Sequence, residues 1–97
     1  MAPRISDDML REMYELFSSI TDPEDFALLL DDLCTYKELE QMAGRIRAAR
    51  LFMEGKTYAQ VIEATNISSA TLSRVSRCVR YGEGYKKVLK PNGKADE

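Results

Sequence analysis

Apolar residues recur along this chain at the three- and four-residue intervals of an α-helix, and no stretch alternates like a strand. The first apolar stripe follows Ser6, a capping residue type, and two acidic residues placed at the positive end of the helix dipole. Asp22-Pro23 marks a second start, because a cap is followed by proline in the first turn. The pattern predicts an all-α fold. The stripes are Met9, Met13, Leu16, Phe17 and Ile20 for the first helix, and Phe26, Leu29, Leu30 and Leu33 for the buried face of the second.

The third and longest helix is expected to begin at Thr35 and Glu38, which have capping-box spacing, and to end at Gly55. Its apolar residues nearly encircle it towards the C-terminal end, and a helix that is apolar on several sides needs more than one partner surface. We expect the second surface to come from another subunit. The residues concerned are Leu39, Met42, Ala43, Ile46, Ala49, Leu51, Phe52 and Met53.

Residues 57–81 have the layout of a helix-turn-helix. Thr57 and Gln60 have capping-box spacing and start a short helix, which should end near Asn66, a residue type that tolerates positive φ. Ser68 or Ser69 then caps a second helix that continues to Tyr81. The inner face that packs the two helices together is expected to be Val61, Ile67, Leu72 and Val75.

The rest of the chain is short, and 97 residues suffice for one domain with a modest core. A last helix is predicted from Glu83 to Lys90, followed by a polar, flexible tail over residues 91–97. We therefore expect one helical domain over residues 1–90.

Composition argues against several functions. No run of about 18 apolar residues suggests a membrane span, and the N-terminus lacks the plan of a secretory signal, so a cytoplasmic location is expected. Cys34 and Cys78, with no histidine, do not make a zinc site; both are expected to be small buried residues. The missing histidine also removes the commonest general base, and no catalytic motif is present. We expect neither an enzyme nor a cofactor nor a metal.

The net charge of −2 conceals an asymmetry. Residues 1–36 hold two basic and nine acidic side chains, a net of −7. Residues 37–90 hold eleven basic and five acidic side chains, a net of +6. Residues 91–97 hold one basic and two acidic side chains, a net of −1. The helix-turn-helix therefore lies in a basic segment, as phosphate binding requires.

The second helix of the helix-turn-helix begins with side chains small enough for a major groove about 12 Å wide. Their hydroxyl groups can bond base edges or bridging waters, and Arg74 can reach a phosphate or a guanine. Arg77 and Arg80 extend a basic edge, and Lys56 is the basic residue nearest the first helix. A merely well-capped helix start is the alternative explanation. The predicted DNA contacts are Lys56, Thr57, Ser68, Ser69, Ala70, Thr71, Ser73, Arg74 and Arg77.

From Leu33 to about Arg80 the chain resembles the tryptophan repressor family, particularly its uncharacterised tryptophan-repressor-like branch. The resemblance implies about six helices intertwined as a homodimer, with one recognition helix on each half-site of a palindromic operator. We therefore expect a dimeric DNA-binding transcriptional repressor. The matching residues are Leu33-Cys34-Thr35, Glu38-Leu39, Gly44-Arg45-Ile46-Arg47, Glu54-Gly55 and Asn66 through Arg74, of which Ala70 through Arg74 are the most specific.

The resemblance also implies where a small-molecule effector would bind. Two arginines bracket tryptophan in the family, and Arg45 and Arg74 stand at their positions. The family's glycine after the second arginine leaves room for the indole, and a serine assists binding; here these residues are Val75 and Cys78. Overpacking a tight pocket costs roughly 1–3 kcal/mol where it is tolerated. We expect that this protein does not use L-tryptophan as a corepressor. The alternative role of Arg45 is a surface or intersubunit salt bridge.

A second function is compatible with the same fold, namely a helical protein-interaction or adaptor module that has lost DNA binding. The acidic N-terminal region favours it. So does the first helix of the helix-turn-helix, where Tyr58, Ala59 and Ile62 stand at positions at which the family has polar or basic residues.

Overall fold

The computed structural model describes residues 6–89, which form six α-helices and no strand. The prediction of an all-α fold with about six helices is confirmed. The expected tail at 91–97 and the predicted helix end at Lys90 lie outside the described residues. No helix in the described range is long and apolar enough to cross a membrane. The helices are α1 (Asp7–Ser19), α2 (Pro23–Leu33), α3 (Tyr36–Met53), α4 (Tyr58–Thr65), α5 (Ser69–Tyr81) and α6 (Gly84–Val88).

The chain divides into two compact units between Tyr36 and Lys37. The first unit contains α1 and α2, and the second contains nearly all of α3 together with α4, α5 and α6. The division coincides with the change from the acidic to the basic part of the sequence. That residues 1–90 act as one domain stays a prediction.

Side-chain caps fix the start of four helices. Ser6, Asp22, Thr57 and Ser68 each accept a hydrogen bond from a backbone N–H in the first turn of the helix that follows. At α4 the capping box is complete, because Gln60 Oε1 accepts the Thr57 N–H at 2.9 Å. Of the two serines considered for α5, the first is the cap.

The end of α3 is a Schellman turn. Gly55 has φ +92°, its N–H donates to Phe52 O at 2.9 Å, and the Lys56 N–H donates to Leu51 O at 3.0 Å. These two bonds satisfy carbonyl groups that the helix end would leave free. The turn therefore fixes Lys56 immediately before the cap of α4.

The core of the second unit lies where α3, α4 and α5 meet. Val61 and Leu72 are fully buried and Val75 is 1% exposed, and they cluster with Ala48 and Ala49 of α3. The two alanines lack long side chains, so the other helices can approach the α3 backbone closely. The predicted inner face is confirmed, with Ile67 half-buried against the same cluster.

The turn between α4 and α5 depends on a left-handed residue. Asn66 has φ 58° and ψ 27°, and its N–H donates to Ile62 O at 2.7 Å. The predicted positive φ is confirmed. Because this conformation reverses the chain within Asn66 and Ile67, α5 starts directly beside the end of α4.

In the first unit the helices contact each other through Phe17 and Phe26, whose rings meet edge-on at 5.2 Å between centroids. Neither α1 nor α2 has a buried residue. The prediction of a buried face on α2 is wrong for a single chain, since Leu33 is 55% exposed and the other three residues are half-buried. The physical reason is that two adjacent helices can cover only one side of each other.

Gly44 lies inside α3 and packs against Ile67 of the helix-turn-helix. A Cβ atom added to Gly44 would lie 2.9 Å from Ile67 Cγ2. Glycine costs a helix interior about 1 kcal/mol relative to alanine. This glycine is therefore explained by close packing and not by helix propensity.

We predict that Gly44→Ala lowers the free energy of unfolding by about 1 kcal/mol, because overpacking against Ile67 exceeds the gain in helix propensity. Urea denaturation followed by circular dichroism measures the change. Gly84→Ala is the matched control, since an added Cβ there meets nothing within 4 Å, and its effect should stay within about 0.5 kcal/mol. A stabilised Gly44→Ala variant would contradict the close-packing explanation.

Candidate nucleic-acid interface

The first turn of α5 presents small polar side chains from a fixed start. Ser68 Oγ accepts the Thr71 N–H at 3.2 Å, and the Ser68 hydroxyl donates to Thr71 Oγ1 at 3.0 Å. The Thr71 hydroxyl is therefore oriented, and its own proton can be donated to a further acceptor. Ser69 and Ala70 beside it are exposed. Behind this polar face, Leu72 and Val75 anchor the helix in the core.

A cavity of about 670 Å³ lies between α3 and the α4–α5 turn; we call it the α3–α5 groove. It collects residues from the start of α5, the turn and one side of α3. Four of the predicted DNA contacts line it. The lining residues are Lys37, Glu40, Gln41, Gly44, Arg45, Thr65, Asn66, Ile67, Ser68, Ala70, Thr71 and Arg74.

Basic side chains dominate the charge of the α3–α5 groove. Lys37, Arg45 and Arg74 line it, and Glu40 is its acidic residue. Within residues 6–89 neither arginine forms an ion pair. The salt bridge considered as an alternative role for Arg45 is therefore not formed with any described residue of the same chain. Unpaired guanidinium groups on a groove wall suit an anionic ligand such as a phosphate or a carboxylate.

The structure separates the four residues of the predicted effector pocket into two places. Arg45 and Arg74 line the α3–α5 groove together, but Val75 and Cys78 do not line it. Val75 is instead buried in the core, and Cys78 is a half-buried free thiol. The residue that follows Arg74 in the sequence therefore has its side chain in the protein interior.

The remaining predicted DNA contacts lie elsewhere on the second unit. Ser69, Ser73 and Arg77 are exposed on α5. Lys56 and Thr57 line a separate cavity of about 310 Å³ at the start of α4. The predicted contacts thus extend from the start of α4 along α5 and do not converge on one pocket.

Sequence reasoning placed Arg45 of α3 at a ligand site with Arg74, but it missed the other α3 residues of the groove, Lys37, Glu40 and Gln41. Lys37, Gln41 and Arg45 are four residues apart and form one stripe, with Glu40 and Gly44 beside it. The regular spacing was a usable signal for a shared helix face. That this face meets the α4–α5 turn follows from the close approach at Gly44, which spacing alone does not encode.

Relatives and solved structures match most of this chain. It is 41% identical over 83 residues to the uncharacterized protein YerC of Bacillus subtilis (strain 168), a match covering 81% of this chain and 80% of that protein. A proposed Trp repressor from Staphylococcus aureus superposes with a TM-score of 0.82 at 29% identity, over 87% of this chain and 85% of that one. A TrpR-like protein from Eubacterium eligens ATCC 27750 gives 0.80 at 30% identity, over 86% and 87%.

The family comparison covers both units described above. Residues 8–92 match the family described as Trp repressor protein, from the start of α1 to beyond α6. The resemblance seen over residues 33–80 therefore extends along most of the sequence. The chain belongs to the Trp repressor family.

Proposed function

We propose that this chain is a sequence-specific DNA-binding regulator that acts as a dimeric repressor and does not use L-tryptophan as its corepressor. The observation that carries the proposal is the small, polar first turn of α5, exposed on one side and anchored in a fully buried core on the other. Membership of a regulator family supports the same function.

Base reading is assigned to the first turns of α5. The small side chains of Ser69 and Ala70 allow the helix backbone to approach base edges closely, and the Thr71 hydroxyl has a proton to donate. Arg74, one turn later, carries the positive charge that guanine or a phosphate attracts. The buried Leu72 holds these groups at fixed positions, as specific contacts require.

We assign the dimer interface to the large apolar side chains that a single chain leaves exposed on α1 and α2. Met9 and Leu16 of α1 are 58% and 47% exposed, and Leu28 and Leu33 of α2 are 66% and 55% exposed. Large apolar side chains exposed on both helices of the unit favour coverage by a partner. Two-fold symmetry would give two recognition helices for the two halves of a palindromic operator, which favours another copy of this chain.

The exclusion of L-tryptophan is assigned to Val75. This side chain is 1% exposed and belongs to the core, so it fills interior volume at the position where the family has a glycine. An indole ring would have to displace a packed valine, and packed interiors resist such displacement. Arg45 and Arg74 remain on the α3–α5 groove, where they can bind DNA or a smaller anion.

We predict that Arg74→Ala and Thr71→Ala abolish binding to a duplex selected from random DNA, because both side chains belong to the reading surface. Fluorescence anisotropy measures the affinity, and circular dichroism verifies the fold. Arg50→Ala, which removes another arginine from the end of α3, is the charge-matched control and should bind like wild type. Wild-type affinity in both test variants would exclude the first turns of α5 as the reading surface.

We predict that Leu16→Glu converts a dimeric protein into a monomer, since it places a charge in the apolar stripe of α1. Sedimentation velocity measures the change. Ser18→Glu, an exposed position on the opposite face of α1, should remain dimeric. A Leu16→Glu protein that sediments like wild type would refute the assignment of this stripe to the dimer interface.

We predict that isothermal titration of the wild-type protein with L-tryptophan gives no micromolar binding, because Val75 fills the space that an indole needs. Operator binding should be the same with and without the amino acid. Saturable micromolar heat, or tighter DNA binding on adding L-tryptophan, would show that the pocket opens despite the valine.

A further inference from the structure

The hydroxyl groups of Ser68 and Thr71 form a hydrogen-bonded pair whose polarity is defined. The Ser68 hydroxyl donates to Thr71 Oγ1 at 3.0 Å, while Ser68 Oγ accepts the Thr71 N–H at 3.2 Å. Each hydroxyl group has a single proton, so the proton of Ser68 is used inside the pair. The proton of Thr71 is the one left for an acceptor outside the pair.

Thr71 differs in this respect from other hydroxyl residues of the helices. Ser18 and Thr65 donate to the carbonyl oxygen four residues earlier, at 2.8 and 2.7 Å, and such bonds use up the hydroxyl proton. Thr71 is the third residue of α5, so the carbonyl four residues before it belongs to Ile67, which precedes the helix. Within residues 6–89 the Thr71 hydroxyl donates to no other group.

The backbone on both sides of the pair is fixed. The left-handed Asn66 precedes Ser68, and its N–H donates to Ile62 O at 2.7 Å. Leu72, the residue after Thr71, is fully buried and its N–H donates to Ser68 O at 2.9 Å. The Ser68–Thr71 bond therefore belongs to a well-anchored turn, and the direction of the Thr71 proton is set before any ligand arrives.

The direction of a hydroxyl proton decides which bases the hydroxyl can read. A threonine hydroxyl that rotates freely can pair with either a donor or an acceptor on a base edge. A hydroxyl that can only donate requires an acceptor. In the major groove guanine, adenine and thymine each present an acceptor, whereas cytosine presents only its amino group, which is a donor.

We propose that Ser68 is a positioning residue that makes Thr71 a hydrogen-bond donor and thereby excludes cytosine as the base that Thr71 contacts. The proposal rests on the proposed function, in which the first turns of α5 lie in the major groove. It goes beyond that function by giving one base position a defined preference. Ser68 acts on this preference through Thr71.

Two substitutions change the polarity of the pair and keep the charge of the protein. Ser68→Asn retains a good helix cap, but the amide oxygen that accepts the Thr71 N–H carries no proton. Thr71 must then donate to this oxygen, and its own oxygen faces outward as an acceptor. Ser68→Gly costs the cap little and removes the hydroxyl partner, so that Thr71 rotates freely.

The matched control is Ser6→Asn, which makes the same change at the cap of α1. Ser6 Oγ accepts the Met9 N–H at 3.2 Å, as Ser68 does for Thr71, and among the described residues it has no hydroxyl partner. Circular dichroism verifies that each variant folds. Because no variant changes a charge, the salt dependence of DNA binding should stay constant.

The test selects binding sites for wild type and for each variant from a random duplex library. Fluorescence anisotropy then measures affinity for four duplexes that differ at a single position of each half-site. At one position wild type should bind the duplex with cytosine facing Thr71 roughly tenfold more weakly than the others. Ser68→Asn should reverse this order and favour cytosine over guanine and thymine. Ser68→Gly should bind all four within about threefold, and Ser6→Asn should keep the wild-type order.

A reversed order in Ser68→Asn, or a relaxed one in Ser68→Gly, supports the inference, because a loss of stability alone would weaken binding to all four duplexes equally. The wild-type order in both variants, or an equal loss on all four duplexes, overturns it while the proposed function stands. If wild type selects no sequence, the proposed function fails and the inference fails with it.

Discussion

The helix-turn-helix depends on the close packing of α4 and α5 against a part of α3 made of small residues. Ala48 and Ala49 are fully buried, and Gly44 leaves only enough space for Ile67. Because the α3 backbone can approach this closely, Leu72 and Val75 become core residues and the opposite face of α5 is presented outward. A rigid anchor with a polar outer face is what a recognition element needs.

With this anchor, α5 lines two separate cavities. Its first turns line the α3–α5 groove with hydroxyl groups and Arg74, whereas Ser76, Val79 and Arg80 line the smaller cavity with the start of α4. Twelve of the fourteen basic residues belong to the same unit as these cavities, and nine of the sixteen acidic residues belong to the other. A nearly neutral chain can therefore still carry a basic surface for phosphate groups.

Features set by a few neighbouring residues were predictable from the sequence. They include the caps at Ser6 and Thr57, the left-handed Asn66 and the apolar inner face of the helix-turn-helix. Features set by packing between distant segments were not. The contribution of Lys37 to the groove is one example, and the burial of Ser76 is another. The exposed leucines of α2 show a third limit, since burial of an amphipathic face requires a surface that one chain need not supply.

The central claim, that α5 reads a specific DNA sequence, is tested most directly by selecting binding sites for the full chain from a random duplex library. The account predicts enrichment of a palindrome whose half-sites lie about one helical turn apart, since two recognition helices of a dimer would occupy successive major grooves. Failure to enrich any sequence at low salt would contradict the account and favour an adaptor that keeps the fold without reading DNA.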